Sequence, residues 1–213
     1  MKTFYQEYPK FTLAVDCAIF GFSDGSLQLL VHQRPYNPGK GELSLIGGFV
    51  EQDESIDAAA RRVLTEFTGM TGIFMRQLGA FGAVDRDPGD RVISVAYYAL
   101  VNVKRYGSEH PLRAADWVDI SELPHLCFDH NEMVMSALKK IRKNLFVEPI
   151  GYNLLPDYFT LTQLQDLYEA VLGHKIDKRN FRRSILERNI LLKTDKIDKL
   201  SSKRGAALYQ FSK

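Results

Sequence analysis

Gly48-Phe-Val-Glu-Gln-Asp-Glu54-Ser-Ile-Asp-Ala-Ala-Ala-Arg-Arg62-Val63-Leu-Thr-Glu66-Phe67-Thr-Gly69-Met70 decides the fold of this chain. Asp53-Glu-Ser offers side-chain acceptors to the free N–H groups of a helix start. Ile56, Ala59, Ala60, Val63, Leu64 and Phe67 then recur at helical spacing, and Gly69 ends the helix. On its other face Glu66 stands alone, with Arg62 four residues before it, the spacing of an ordinary helix ion pair. Mg²⁺ takes hard oxygen ligands, and two-metal hydrolysis needs carboxylates clustered around both ions. A lone glutamate beside the apolar ring of Phe67 does not meet that need. No catalytic residue, metal ligand or cofactor is therefore assigned, and Glu54, Arg62 and Glu66 read as structural.

Working outward, Phe11-Thr-Leu-Ala-Val-Asp-Cys-Ala-Ile-Phe-Gly-Phe reads as a buried strand, Ser23-Asp-Gly-Ser as a hairpin turn, and Leu27 to His32 as the returning strand. Phe74–Phe81 and Arg91–Val101 are strand-like, the second dense in β-branched and aromatic residues. Trp117 to Ile120 reads as a short strand and His130 to Asn144 as a helix with Lys and Arg at its end. Gly47-Gly48 is expected to let the chain turn tightly into the first helix. The order is that of a mixed sheet with two helices.

The chain carries a formal charge of +2, but unevenly. Residues 1–150 hold 16 basic against 19 acidic side chains, and residues 151–213 hold 12 against 7. A basic module thus follows a mildly acidic one, which points to nucleic acid as the partner of the second. Pro and Gly interrupt the pattern around Val147 to Pro156, dividing the chain into domains 1–147 and 148–213. No apolar run approaches the length of a membrane span, and the first residues lack a secretory core. Cys17 and Cys127 are isolated, as expected of reduced, buried thiols in a cytoplasmic protein.

In the second domain Thr160-Leu-Thr-Gln163 is a capping box, and Leu161, Leu164, Leu167, Tyr168 and Val171 form the apolar face of its helix. After Gly173-His-Lys-Ile, Asp177 caps a second helix, with Phe181, Ile185 and Leu186 expected to face inward. Ile190–Thr194 and Ala206–Phe211 make a hairpin. This is the layout of a winged helix-turn-helix. Lys178, Arg179, Asn180, Arg182 and Arg183 cluster on the first two turns of the second helix, where such a motif enters the major groove of double-stranded DNA. Arg and Asn are suited to base edges. Lys193, Lys196, Lys199, Lys203 and Arg204 on the wing suit phosphates. A plain solvated basic face has the same composition.

For the first domain, Asp85, Arg86, Asp87 and Arg91 offer polar groups to a small-molecule effector, with Arg34, Glu51 and Glu54 bordering the same cleft. The alternative for Asp85-Arg-Asp-Pro-Gly is a simple turn with local ion pairs.

The opening stretch resembles the Nudix box, G-x5-E-x7-R-E-U-x-E-E-x-G-U with U aliphatic. Gly48, Glu54, Arg62, Leu64, Glu66, Gly69 and Met70 match, while Val63 and Phe67 stand where metal-binding glutamates belong. With the loop Gly82 to Arg91 and the basic winged helix, nearly the whole chain resembles the Nudix-related transcriptional regulators. The resemblance implies an α/β (α+β) fold, a Nudix-like α/β/α sandwich followed by a C-terminal winged helix-turn-helix, and a homodimer on operator DNA. One branch of those regulators senses ADP-ribose and controls NAD metabolism; another represses L-arabinose utilisation genes. The run Thr194 to Phe211 looks closest to the arabinose branch. Where enzymes often read G-x-W-x-L-P-G-G, this chain has Gly41-Glu-Leu43-Ser-Leu-Ile46-Gly-Gly, and loss of both the Trp and the Pro favours a smaller ligand such as a pentose sugar over ADP-ribose. The expectation is a sugar-released repressor. The competing readings are an ADP-ribose sensor, a working pyrophosphohydrolase, or a binding module docked on RNA or protein.

Overall fold

The computed structural model describes residues 4–103, 115–147, 151–199 and 205–212. Strand β1 (Thr12–Ser23) turns through Asp24 and Gly25, with φ of 51° and 81°, into β2 (Ser26–Gln33). Positive φ at both central residues gives the two-residue turn whose twist suits paired strands. Strands β3 (Leu43–Ser44), β4 (Ile46–Phe49), β5 (Met75–Phe81), β6 (Val92–Val101) and β7 (Asp116–Asp119) complete a mixed sheet ordered β3-β2-β1-β6-β5. β4 pairs with the first half of β1 and β7 with β2; among the described strands only β1 and β6 run parallel.

Side chains alternate across a strand, so β1 feeds two cores. Val15, Cys17 and Ile19 pack on Ala59, Ala60, Val63 and Leu64 of helix α1 (Ile56–Thr68). Ala18 and Phe20 belong to the opposite core, with Met133, Val134, Ala137 and Leu138 of helix α2 (His130–Asn144). The sheet is thus a layer between helices, the expected α/β/α sandwich. α1 begins at Ser55, whose hydroxyl accepts from the Ala58 N–H, and ends at Gly69 in the left-handed conformation. Both cysteines are free and buried.

One helical turn (Gly151–Leu154) leads to α3 (Leu161–Leu172), α4 (Lys178–Glu187), and a hairpin of β8 (Leu191–Asp198) and β9 (Ala206–Phe211). The Thr160/Gln163 capping box forms as expected, and Asp177 caps α4 through the Asn180 N–H at 2.8 Å. The α2 core runs without a break into Leu164, Leu167, Tyr168, Phe181 and Ile185. Leu186 departs from expectation and is 43% exposed. Phe181 and Ile185, one turn apart, complete the buried stripe of this short helix, and Leu186 lies a position round from it.

The turn between α3 and α4 is clamped by one buried carboxylate. Glu169 accepts from the Ile176 N–H at 3.0 Å, Lys175 Nζ at 2.7 Å and Gln165 Nε2 at 2.9 Å. The Lys175 ammonium, with the Ile176 N–H and the Gln165 amide, pushes the Glu169 carboxyl down to about 2 from 4.5. A carboxylate with a depressed folded pKa stabilises above its unfolded pKa and loses that contribution as pH falls through the folded one. Acid melting of the winged helix, followed by circular dichroism, is therefore expected to show this loss between pH 4.5 and about 2. Glu169→Gln should cost about 1–3 kcal/mol near neutral pH and flatten that part of the profile. An unchanged acid profile in the variant would remove Glu169 from the account.

Candidate effector cleft and DNA-binding face

A cavity of about 410 Å³ opens beside the first half of β1. Its floor is a buried polar network. Arg86 donates from Nε and Nη2 to the two oxygens of Asp129, at 2.9 and 2.7 Å, and from Nη2 to Asp16 at 3.4 Å. Ser94 Oγ donates to Asp16 at 2.6 Å. The Leu45 N–H donates to His130 Nδ1 at 3.1 Å, which leaves the ring hydrogen on Nε2, facing Asp16 Oδ1 at 3.5 Å. Burial pushes the His130 pKa down despite the nearby carboxylates, so this contact is a neutral N–H to a carboxylate and not an ion pair. Two carboxylates around one guanidinium leave the floor with a net negative charge.

The walls are aromatic. Tyr36, Phe49, Phe67 and Phe128 all line the cavity. Arg34 lies over the Phe128 ring, 4.7 Å from its centre, and donates from Nε to the Pro38 carbonyl. Phe67, in place of a box glutamate, packs against His32, whose pKa burial lowers. Gly47 is needed for a reason other than a turn: a Cβ there would sit 2.2 Å from Asp16 Oδ1 and 2.9 Å from the Val15 carbonyl. At Gly48 a Cβ would meet Val63 at 2.9 Å. Both glycines let β4 lie close against its neighbours, which corrects the expected turn role.

Of the expected effector residues, the structure brings Arg34, Arg86 and Asp87 together at this cavity. Glu51, Asp85 and Arg91 are not among its lining residues. Arg91 spends its guanidinium on the carbonyls of Gly82, Ala83 and Val92 and lies over Phe11. Glu51 is exposed, 3.9 Å from Arg62; Asp85 is exposed in the loop. Asp16, Asp129 and His130 were missed. A polar residue inside an apolar strand, and two at a helix start, carry no local signal until the fold joins them.

The remains of the box do not fit a divalent metal. Arg62 holds Glu54 at 2.6 Å and Glu66 at 3.4 Å and donates to the Phe49 carbonyl. The Arg62 guanidinium keeps the Glu54 carboxyl below the usual range. Val63 and Phe67 supply no oxygen. Among the described residues no group of three His, Cys, Asp or Glu side chains is placed to share an ion.

On α4, Lys178, Arg179, Asn180, Arg182 and Arg183 are all exposed, while Phe181 and Ile185 are buried beneath them. Lys193 and Lys199 are exposed on or beside β8, and Lys196 Nζ stands 3.5 Å over the Tyr158 ring. Lys203 and Arg204 lie outside the described residues. Among the described residues, no helix is long and apolar enough to cross a membrane.

Sandwich, cleft and basic winged helix together define a Nudix domain joined to a DNA-binding type of module. Residues 10–137 match the family described as the NUDIX domain, and residues 151–211 the NrtR DNA-binding winged helix domain. The chain belongs to the NrtR-like Nudix proteins. It is 37% identical over 215 residues to the ADPR responsive transcriptional repressor NtrR of Acinetobacter baylyi, across 97% of this chain and 84% of the relative. Shewanella oneidensis NrtR, solved with a 27mer DNA, superposes with a TM-score of 0.79 at 28% identity, over 94% of this chain and 93% of that one. The NUDIX domain of the same protein, solved with ADP ribose, gives 0.54 at 25% identity, over 64% of this chain and 92% of that one.

These relatives overturn the expectation of an arabinose-released repressor. The relative spanning nearly the whole chain is named for its response to ADPR, and the related Nudix domain was solved with ADP ribose. The physical fault lay in reading the missing Trp as a missing stacking surface. Tyr36, Phe49 and Phe128 supply aromatic wall from other segments.

Proposed function

We propose that this protein is an ADP-ribose-responsive transcriptional repressor of the NAD-metabolism type. The observation that carries this reading is an aromatic-walled cleft lined by Arg34 and Arg86, built on a box that has lost its metal ligands, in one chain with an exposed basic helix. Residues 1–147 sense the effector and residues 148–213 bind operator DNA. Arg34, Arg86 and Asp87 contact ADP-ribose, with Arg34 meeting its diphosphate and an aromatic ring meeting its adenine. Base–aromatic stacking contributes about 1–3 kcal/mol. Lys178, Arg179, Asn180, Arg182 and Arg183 enter the major groove, and Lys193, Lys203 and Arg204 hold phosphates. The protein works in the cytoplasm as a homodimer, since two copies related by a two-fold axis read two half-sites.

The test is calorimetry with ADP-ribose, joined to a gel shift on a duplex selected by the protein from a random library. ADP-ribose is expected to bind, to release the duplex, and to do both unchanged in EDTA. Arg34→Ala should weaken ADP-ribose binding about tenfold, the loss of one charge-assisted hydrogen bond. Arabinose is expected to do neither. Failure of ADP-ribose to alter DNA binding would overturn the effector assignment. AMP released from ADP-ribose in Mg²⁺, and lost in Glu66→Gln, would establish a hydrolase instead.

A further inference from the structure

Helix α2 touches both functional regions, one with each end. At its start, Asp129 holds Arg86 through two hydrogen bonds and His130 faces Asp16; of these, Arg86, Asp16 and His130 line the cleft. At its end, Arg142 Nε donates to the Val171 carbonyl, in the last turn of α3, at 2.7 Å. Two residues beyond the helix, the Phe146 carbonyl accepts from Arg188, the residue that closes α4. The Phe146 ring lies 5.4 Å from that of Tyr168, which lies 5.2 Å from Phe181 of α4. The 15 residues of α2 span roughly 22 Å at the rise of an α-helix. Between its ends Met133, Val134, Ala137, Leu138 and Ile141 are buried in the core that the sheet shares with α3 and α4. A close-packed helix moves as a unit and does not deform continuously.

We infer that α2 transmits occupancy of the cleft to the winged helix, with the Arg86–Asp129 pair as the point where the ligand acts. The inference rests on the reading of the cleft as an ADP-ribose site. Arg binds carboxylate and phosphate in the same two-pronged manner. A diphosphate entering the cleft therefore competes with Asp129 for Arg86. Release of Asp129 frees the N-cap of α2, and movement of the helix alters the Arg142–Val171 and Phe146–Arg188 contacts that orient α3 and α4. A ligand shifts an equilibrium only through different affinities for its two states. The pair provides that difference, being closed in the state that binds DNA and open in the liganded state.

The test uses the full chain, ADP-ribose, and the duplex selected by the wild-type protein. In wild type, ADP-ribose is expected to lower DNA affinity by roughly tenfold or more, within the usual range of coupling. Arg142→Met should bind ADP-ribose as wild type does but lose most of that response, and Arg142→Lys, which keeps a donor for Val171, should restore it. A full response in Arg142→Met overturns the inference. A second arm needs no ligand: Asp129→Asn and Arg142→Met are combined in a double-mutant cycle on DNA affinity. Non-additivity of about threefold or more supports coupling along α2, and simple additivity overturns it. Failure of ADP-ribose to bind wild type would sink the reading of the cleft, while this second arm would still decide the coupling.

Discussion

Arg86→Met should lower the stability of the protein by about 3–5 kcal/mol, the cost of removing one partner from a buried ion pair. The Arg86 side chain is 3% exposed, and it is the cation that faces Asp16 and Asp129 on the cleft floor. Its loss leaves two largely buried carboxylates, Asp16 keeping Ser94 and neutral His130 as side-chain partners. Methionine fills much of the volume, so the penalty is electrostatic and not a cavity. For a chain of this size the melting temperature should fall by roughly 6–20 °C. Glu51→Gln is the control, because Glu51 faces Arg62 at 3.9 Å with 64% of its side chain exposed. Such a surface pair contributes at most about 1 kcal/mol. If the two variants melted together, the floor network would not be holding the domain.

The elements that local chemistry specifies were legible in the sequence. The caps at Ser55, Thr160 and Asp177, the stop at Gly69 and the Asp24-Gly25 turn each depend on a few adjacent residues. The basic face of α4 was equally legible, since helical spacing alone separates Lys178, Arg179, Asn180, Arg182 and Arg183 from Phe181 and Ile185. The cleft was not. Asp16 meets Ser94 across 78 positions, and Arg86 meets Asp129 across 43. Arg86 and Arg91 share one loop and look alike in sequence. Only the fold gives Arg86 its distant carboxylates and leaves Arg91 with local carbonyls. The effector was misjudged for the same reason, because its aromatic walls come from four separate segments, not from the motif where a Trp was sought.

Arg182→Ala combined with Arg183→Ala should weaken binding to the selected duplex by about 2–6 kcal/mol, if each arginine makes a bidentate base contact. At 1.4 kcal/mol per tenfold, that is roughly 30-fold to 20,000-fold. Both side chains are exposed, and the helix is held from beneath by Phe181 and Ile185, at 4% and 2% exposure. Exposed substitutions of this kind change stability by about 0.5 kcal/mol or less each, so lost binding would not come from unfolding. Lys193→Ala makes the useful contrast. A phosphate contact carries no sequence information, so its loss should weaken selected and scrambled duplexes alike and reduce the salt slope by about 0.9. Fluorescence anisotropy at several salt concentrations separates the two behaviours. Base reading by α4 requires the double substitution to spare scrambled DNA relative to the selected duplex. An equal loss on both would make Arg182 and Arg183 phosphate contacts, and no loss on either would mean that α4 is not the helix that enters the groove.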